Sequence, residues 1–141
     1  MLDLQRLPDW RVRLDDMIND VRRTPYLIGT FDCGPSFAGR AVEAVAGVNV
    51  LGHYAGRYAT EEEALMLVVE DGPELPDLVA KLLPEYAHAS EAKVGDIAAI
   101  PIGGPFGWAL GVVNGERIFV LRGDGIGTIG LLAAKRAFRV G

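Results

Sequence analysis

Apolar residues recur at three- and four-residue spacings over residues 7–83, and this period predicts helices. The first predicted helix covers 7–23 and ends before Pro25, because the residue that precedes a proline avoids helical backbone. The second covers 33–46, with Pro35 suited to its first turn and Gly47 to its C-terminal cap. The chain is therefore expected to begin with packed helices.

Two shorter helices complete this half of the chain. Thr60 and Glu63 have the spacing of a capping box, which predicts a third helix that ends near Val69. Inward-facing leucines and a valine predict a fourth helix over 75–83.

After Pro84 the helical period gives way to short apolar runs of strand length. Five strands are predicted, over 97–102, 109–113, 117–121, 128–132 and 136–140. Asn114-Gly115, between the second and third strands, is typical of a tight hairpin. Helices followed by an antiparallel meander predict an α+β fold, in which the N-terminal helices pack on one face of a C-terminal antiparallel β-sheet.

The composition of the chain is that of one globular domain covering residues 1–141. Half of its 141 residues are hydrophobic and 23% are charged. No apolar run reaches the length of about 18 residues that a membrane span needs, so no membrane span is expected. The N-terminus lacks the pattern of a secretory signal, which predicts synthesis in the cytoplasm without a signal peptide. A net charge of −5 argues against a nucleic-acid partner.

The charge is unevenly distributed along the chain. Seven acidic residues and no basic one lie between Arg57 and Lys81, whereas basic residues dominate the last 25 positions. This pattern fits either two solvated faces or a polar contact between subunits.

Cys33 is the one cysteine of the chain, so no disulfide can form within it. One cysteine and two histidines also give no structural zinc pattern, and neither a metal nor a cofactor is expected. Cys33 lies where a loop becomes a helix, a position at which N–H groups and the helix dipole stabilise a thiolate. A papain-type nucleophile occupies such a position, but a free cysteine is also often a buried apolar residue, and both interpretations stay open.

A cysteine nucleophile requires a histidine base within hydrogen-bonding distance. His53 lies in a polar loop and His88 precedes the first strand, so both are expected to be exposed loop residues. His53 is the nearer candidate base in the sequence. Residues 125–130 match the GxGxxG pattern, but only 11 residues follow, too few for a dinucleotide-binding unit. A glycine-rich turn between strands is expected there.

Three segments carry a resemblance to a known superfamily: 27–37 (LIGTFDCGPSF), 93–99 (KVGDIAA) and 107–115 (GWALGVVNG). They resemble the NlpC-type peptidases, papain-like cysteine endopeptidases that cut the peptide stems of bacterial cell walls. The chain is more closely similar to a family of small proteins encoded among phage tail genes and in gene transfer agents. The features shared with that family are Leu7–Trp10, Asp32-Cys33, Gly56–Thr60 and Gly95-Asp96.

The resemblance implies a papain-like NlpC-type fold with Cys33 at the nucleophile position. By analogy, Asp32 and the backbone N–H of Cys33 would lie near the oxyanion site. In the superfamily a histidine begins the strand that corresponds to residues 109–113 (ALGVV) here, so the histidine position falls on Ala109. The third, polar position falls on the strand IFVL, which offers no polar side chain. A base would have to come from His53 or, in trans, from another subunit.

Two main functional hypotheses follow from the resemblance. In the first, the chain is a catalytically degenerate structural or adaptor protein of a phage tail tip or baseplate, resident in the virion tail. Its partners would be other tail proteins, contacted through loops that contain Tyr54, Tyr58 and Trp108. In the second, it is an active peptidoglycan endopeptidase that aids genome delivery. A small-molecule or regulatory binding domain is a third, more distant class.

Overall fold

Four helices and a five-stranded sheet make up the chain, and the computed structural model describes all residues 1–141. The helices are α1 (Trp10–Val21), α2 (Gly39–Ala46), α3 (Glu61–Asp71) and α4 (Leu75–Ala80). The strands are β1 (Ile97–Pro101), β2 (Trp108–Asn114), β3 (Arg117–Arg122), β4 (Gly125–Gly130) and β5 (Arg136–Phe138). The predicted α+β class is confirmed. No helix has the length and apolarity needed to cross a membrane.

The sheet is antiparallel throughout, in the order β4-β3-β2-β1-β5. β2 and β3 form the predicted hairpin, but its two loop residues are Gly115 and Glu116, while Asn114 pairs with Arg117 as the last residue of β2. Gly115 has φ +71° and no other residue of the turn has a positive φ. Glycine is thus needed at the first loop position, as in a type II′ turn.

The four helices pack on one face of the sheet, as predicted. One core joins the inward faces of α1 and α2 to the side chains of Leu110 and Val112 on β2 and of Phe138 on β5. The opposite face carries a smaller cluster built on Ala98, Val113 and other sheet residues, together with Ala92 and Ala134. Short 3₁₀ turns at Ala89–Glu91 and Leu131–Ala133 flank that cluster. Both faces of the sheet are therefore covered.

The predicted helices are present with modest shifts at their ends. α1 begins at Trp10 rather than at residue 7, and α4 ends at Ala80 rather than at residue 83. The segment predicted as one helix over 33–46 begins with a π-helical turn, Gly34–Ala38, that continues into α2. Gly47 closes α2 with φ +85°, the left-handed conformation expected of a C-terminal glycine.

The C-terminal predictions need two corrections. β4 covers Gly125–Gly130 instead of 128–132, and a 3₁₀ turn follows it. The GxGxxG residues are thus a strand and not the expected turn. The guanidinium of Arg122 lies over Gly127, where a side chain would collide with it at 2.1 Å. Gly127 therefore allows Arg122 to pack closely at the edge of the sheet.

Asp96 connects the start of β1 with both ends of the chain. It is fully buried, and its carboxylate accepts hydrogen bonds from Arg6 (3.1 Å), from the N–H of Val140 (2.9 Å), from the hydroxyl of Tyr86 (2.7 Å) and from the N–H of Lys93 (2.8 Å). Because the carboxylate of Asp96 accepts all four hydrogen bonds, Asp96 in the Gly95-Asp96 pair has a structural role.

Candidate functional site

Cys33 is held at the start of the π-helical turn by a tight loop that precedes it. Leu27 and Phe31 form an isolated antiparallel bridge, which folds residues 28–30 back on themselves. Gly29 has φ +83°, and a side chain there would approach the carbonyl oxygen of Tyr58 to 2.7 Å. The carbonyl of Cys33 then accepts the N–H of Ala38 at 3.1 Å. The loop and the helix together fix the direction of the Cys33 side chain.

Asp32 is buried beside Cys33 and caps the same helix terminus. One carboxylate oxygen accepts the N–H of Gly34 at 3.0 Å. The other accepts the N–H of Gly29 at 2.9 Å and the hydroxyl of Tyr58 at 2.6 Å. Ser36 exchanges hydrogen bonds with the backbone of Asp32, at 2.8 and 3.1 Å. The carboxylate therefore occupies one donor of the helix terminus, the N–H of Gly34, that would otherwise favour a thiolate on Cys33.

The surroundings of Cys33 favour the neutral thiol. Burial is the largest influence and raises the pKa of Cys33 to about 11; the negative charge of Asp32 adds to this rise. Hydrogen bonds from the backbone N–H groups of Leu110 and of Cys33 itself act in the opposite direction and are outweighed. At neutral pH the neutral thiol is thus the favoured form.

The backbone N–H of Leu110 contacts Cys33 where β2 and β3 separate. The pairing of β2 with β3 extends from Asn114 only as far as Val112 and Phe119. Beyond that point β2 pairs with β1, and β3 pairs with β4. The gap between the separated strands opens towards the Cys33 loop.

A cavity of about 400 Å³ occupies this gap and extends beneath α3 and α4. Cys33 and Ala109, the nucleophile position and the expected histidine position, are both among its lining residues. Eighteen of its 24 lining residues are hydrophobic, among them Leu51, Leu67, Val68, Leu75 and Leu78. A volume of this size lies within the range of about 300–1,000 Å³ typical of ligand-binding pockets.

Three polar side chains on the cavity wall already donate hydrogen bonds to carboxylates. The hydroxyl of Tyr54 donates to Asp71, and that of Tyr58 donates to Asp32. The indole N–H of Trp108 donates to Glu74 at 3.0 Å. Burial, followed by the hydrogen bond to a carboxylate, raises the pKa of both tyrosines. These groups hold the wall together and are not placed for acid–base catalysis at neutral pH.

Neither histidine reaches this site. His53 is exposed on the 3₁₀ turn Gly52–Tyr54, with its ring 4.0 Å from that of Tyr54. Its neighbour Tyr54 lines the cavity, but His53 does not. His88 is exposed at the start of the turn Ala89–Glu91. The expectation of two exposed loop histidines is confirmed, and His53 has no contact with Cys33 through which to act as its base.

Several lining residues escaped the sequence reasoning. Tyr26, Glu61, Phe106 and Arg122 belong to four separate segments that meet only in the folded chain. Aromatic residues in polar or glycine-rich stretches were the available signal for Tyr26 and Phe106. Tyr54, Tyr58 and Trp108, the predicted docking residues, all line the cavity. No three metal-binding side chains come together anywhere in the chain.

Comparison with known families gives one match that covers nearly the whole chain. The matching family model is described as a domain of unknown function (DUF6950), and it aligns with residues 5–140. No curated protein matches the chain.

Proposed function

The chain belongs to the DUF6950 family, and we propose that it is a catalytically degenerate NlpC-type domain that serves as a structural or adaptor subunit of a phage or phage-derived tail. In this proposal the papain-like architecture is kept as a scaffold. The former catalytic cleft is kept as a cavity.

Two features of the architecture support an NlpC-type origin. A cysteine begins a helix that packs against the second strand of an antiparallel sheet, and Ala109 on that strand lines the same cavity. The helices lie on one face of the sheet, as in the proposed α+β papain-like arrangement. The cysteine segment precedes the strand that contains Ala109 in the sequence, as in the proposed NlpC-type order.

The single observation that carries the loss of catalysis is the environment of the Cys33 sulfur. It meets the backbone of Leu110 in an apolar cavity, and burial holds its pKa at about 11. Papain-type chemistry needs a thiolate and an imidazole that accepts its proton and later protonates the leaving amine. Ala109 supplies neither group, and His53 is exposed outside the cavity.

The setting in a virion tail rests on the resemblance of Leu7–Trp10, Asp32-Cys33, Gly56–Thr60 and Gly95-Asp96 to tail-encoded proteins. The partners proposed on this basis are other tail-tip or baseplate proteins. The cavity and its aromatic loops provide a surface for such contacts.

The rate of Cys33 alkylation as a function of pH tests the loss of catalysis. Iodoacetamide would be used on the parent protein and on His53→Ala, with Cys33→Ala as the blank. We expect an apparent thiol pKa above the free value of about 8.5, identical in the parent and in His53→Ala. A pKa several units lower that is lost in His53→Ala would overturn the proposal.

An active peptidoglycan endopeptidase is the competing function, because Cys33 lines a cavity large enough to admit part of a peptide. Muropeptide cleavage by the parent but not by Cys33→Ala would establish it. The same assay with purified tail proteins added tests whether a partner supplies the histidine. Absence of cleavage in both formats, together with an unreactive thiol, favours the scaffold.

A further inference from the structure

Aromatic residues are concentrated at the cavity beside Cys33. Three of the four tyrosines, Tyr26, Tyr54 and Tyr58, line it together with Phe106 and Trp108. Tyr26 and Ile102, at 45% and 48% exposure, also present apolar surface to solvent. Aromatic residues are enriched where proteins bind other proteins, since they give a large contact area with little loss of conformational entropy.

The polar groups on the inner wall of this cavity already have hydrogen-bond partners, so a group that enters the cavity need not supply one. Tyr54, Tyr58 and Trp108 already donate to Asp71, Asp32 and Glu74. No buried side-chain nitrogen or oxygen lacks a partner. The interior is therefore suited to an apolar side chain, whose burial carries no polar desolvation cost.

The rim of the cavity is acidic. Glu61 lines the cavity from the first turn of α3, and Glu62 lies beside it on the same turn. Both are exposed, and neither they nor Glu70 at the other end of α3 takes part in an ion pair. A positively charged partner would gain from these carboxylates without displacing an existing bond.

Two cations lie near this rim. Arg122 lines the cavity, but its guanidinium donates to the carbonyl of Thr128 at 3.3 Å and lies over Gly127. Arg57 lies 6.0 Å from the ring of Tyr54. Glu61, Glu62 and Glu70 are three of the five carboxylates of α3, and they outnumber these two cations, so the entrance attracts positive charge.

We infer that this cavity is the docking site for a segment of a partner protein that presents one large apolar side chain flanked by lysine or arginine. The apolar side chain enters between the aromatic residues, and the flanking cations lie over the first turn of α3. This inference rests on the proposed adaptor function and specifies the chemistry of the partner.

The fluorescence of Trp108 reports on occupancy of the cavity. Trp10, the other tryptophan, lies against Arg6 and Arg11, and Trp10→Phe leaves Trp108 as the single emitter. Three synthetic heptapeptides would be titrated: one with a central phenylalanine flanked by lysines, one with the same phenylalanine flanked by glutamates, and one with a central serine flanked by lysines. We expect the first to bind at least tenfold more tightly than either of the others, with an affinity that falls as salt rises.

Charge variants at the surface test the role of the rim. Glu61→Gln combined with Glu62→Gln should reduce the preference for lysine over glutamate flanks to threefold or less. Glu116→Gln, an exposed carboxylate on the β2–β3 turn outside the cavity, is the matched control and should keep the full preference. Circular dichroism would confirm that these surface variants remain folded.

Four results would overturn the inference. The first is no change in Trp108 emission with any peptide, and the second is equal binding of the lysine-flanked and glutamate-flanked phenylalanine peptides. The third is equal binding of the lysine-flanked serine and phenylalanine peptides, and the fourth is an emission shift that follows self-association of the protein and is not reversed by peptide. None of these results depends on the alkylation rate of Cys33, which is measured separately. Failure of this inference therefore remains distinguishable from failure of the proposed loss of catalysis.

Discussion

The hydroxyl of Tyr58 donates a hydrogen bond to the buried carboxylate of Asp32 at 2.6 Å, across 26 positions of sequence. This bond joins the loop before α3 to the turn that carries Cys33. It also keeps a negative charge beside the sulfur, which opposes the second negative charge that a thiolate would bring. The same arrangement that stabilises the turn thus reduces the reactivity of the thiol.

Replacement of Asp32 by asparagine is expected to lower the pKa of Cys33 and to accelerate its alkylation below pH 9. The charge that raises the thiol pKa is removed, while the side chain keeps nearly the same shape. The amide can no longer accept from all three donors, so the free energy of unfolding should fall by about 1–3 kcal/mol. Alkylation rates as a function of pH and urea denaturation measure the two effects.

Tyr58→Phe is the matched control for this prediction. It removes the hydrogen bond to Asp32 but leaves the carboxylate charge in place. Stability should fall while the alkylation profile of Cys33 stays close to that of the parent. An equal acceleration in Asp32→Asn and Tyr58→Phe would mean that loosening of the turn, and not charge, controls the thiol.

The raised pKa of the half-buried Cys33 thiol should also make the stability of the fold depend on alkaline pH. Its pKa is raised in the folded state, so the folded chain retains a proton that the unfolded chain releases. The resulting stability is complete below the unfolded pKa of about 8.5 and is lost as the pH rises towards 11. Between pH 8.5 and 10 the parent should lose up to about 1.4 kcal/mol per pH unit more than Cys33→Ala.

Comparison with Cys33→Ala isolates the thiol, because both proteins carry the same tyrosines. Burial raises the pKa of Tyr86 to about 12, and it also raises those of Tyr26, Tyr54 and Tyr58. Their unfolded-state value is about 10, so their contribution begins within this window and is the same in both proteins. Equal pH slopes for the parent and Cys33→Ala between pH 8.5 and 10 would contradict the raised pKa of the thiol.

Asp96 is expected to contribute more to stability than any surface ion pair of the chain. Asp96→Asn leaves Arg6 without its buried partner and cannot satisfy all four donors. The free energy of unfolding should fall by about 3 kcal/mol or more. Urea denaturation would measure the loss.

The exposed pair of Asp20 and Arg40 provides the comparison, because the Asp20 side chain is 70% exposed. Asp20→Asn should change stability by less than about 1 kcal/mol. Similar losses for Asp96→Asn and Asp20→Asn would mean that the Asp96 connection between the two chain ends is of little energetic importance.

Local patterns in the sequence were sufficient to predict the helices and the hairpin. The spacing of Leu14, Met17, Ile18 and Val21 predicts the buried face of α1, and the capping box at Thr60 predicts the start of α3. These signals act within a few residues and depend little on the rest of the chain. The position of Cys33 at the start of a helix followed from the same kind of signal.

The environment of Cys33 could not be predicted in this way. Its pKa depends on burial and on the N–H of Leu110, which lies 77 positions later in the sequence. That contact exists because β2 and β3 separate beyond Val112 and Phe119, and apolar alternation specifies strands without specifying where their pairing ends. The cavity is not predictable from local patterns for the same reason.

Ala109→His is the substitution that tests whether this cavity descends from a catalytic cleft. If the register with NlpC-type peptidases is correct, the new imidazole enters the cavity lined by Cys33 and provides both a cation and a base. We expect the apparent pKa of Cys33 to fall below 8.5 and alkylation at pH 7 to accelerate at least tenfold. The pH dependence of the rate should show a new transition near the histidine value of about 6.5.

Asn114→His is the control, because it places a histidine at the exposed end of the same strand. It should leave the thiol pKa and the alkylation rate unchanged. An Ala109→His protein that stays folded but keeps a slow, high-pKa thiol would show that this position does not face the sulfur. In that case the NlpC-type register would be wrong, and the cavity would have to be understood as a binding site of separate origin.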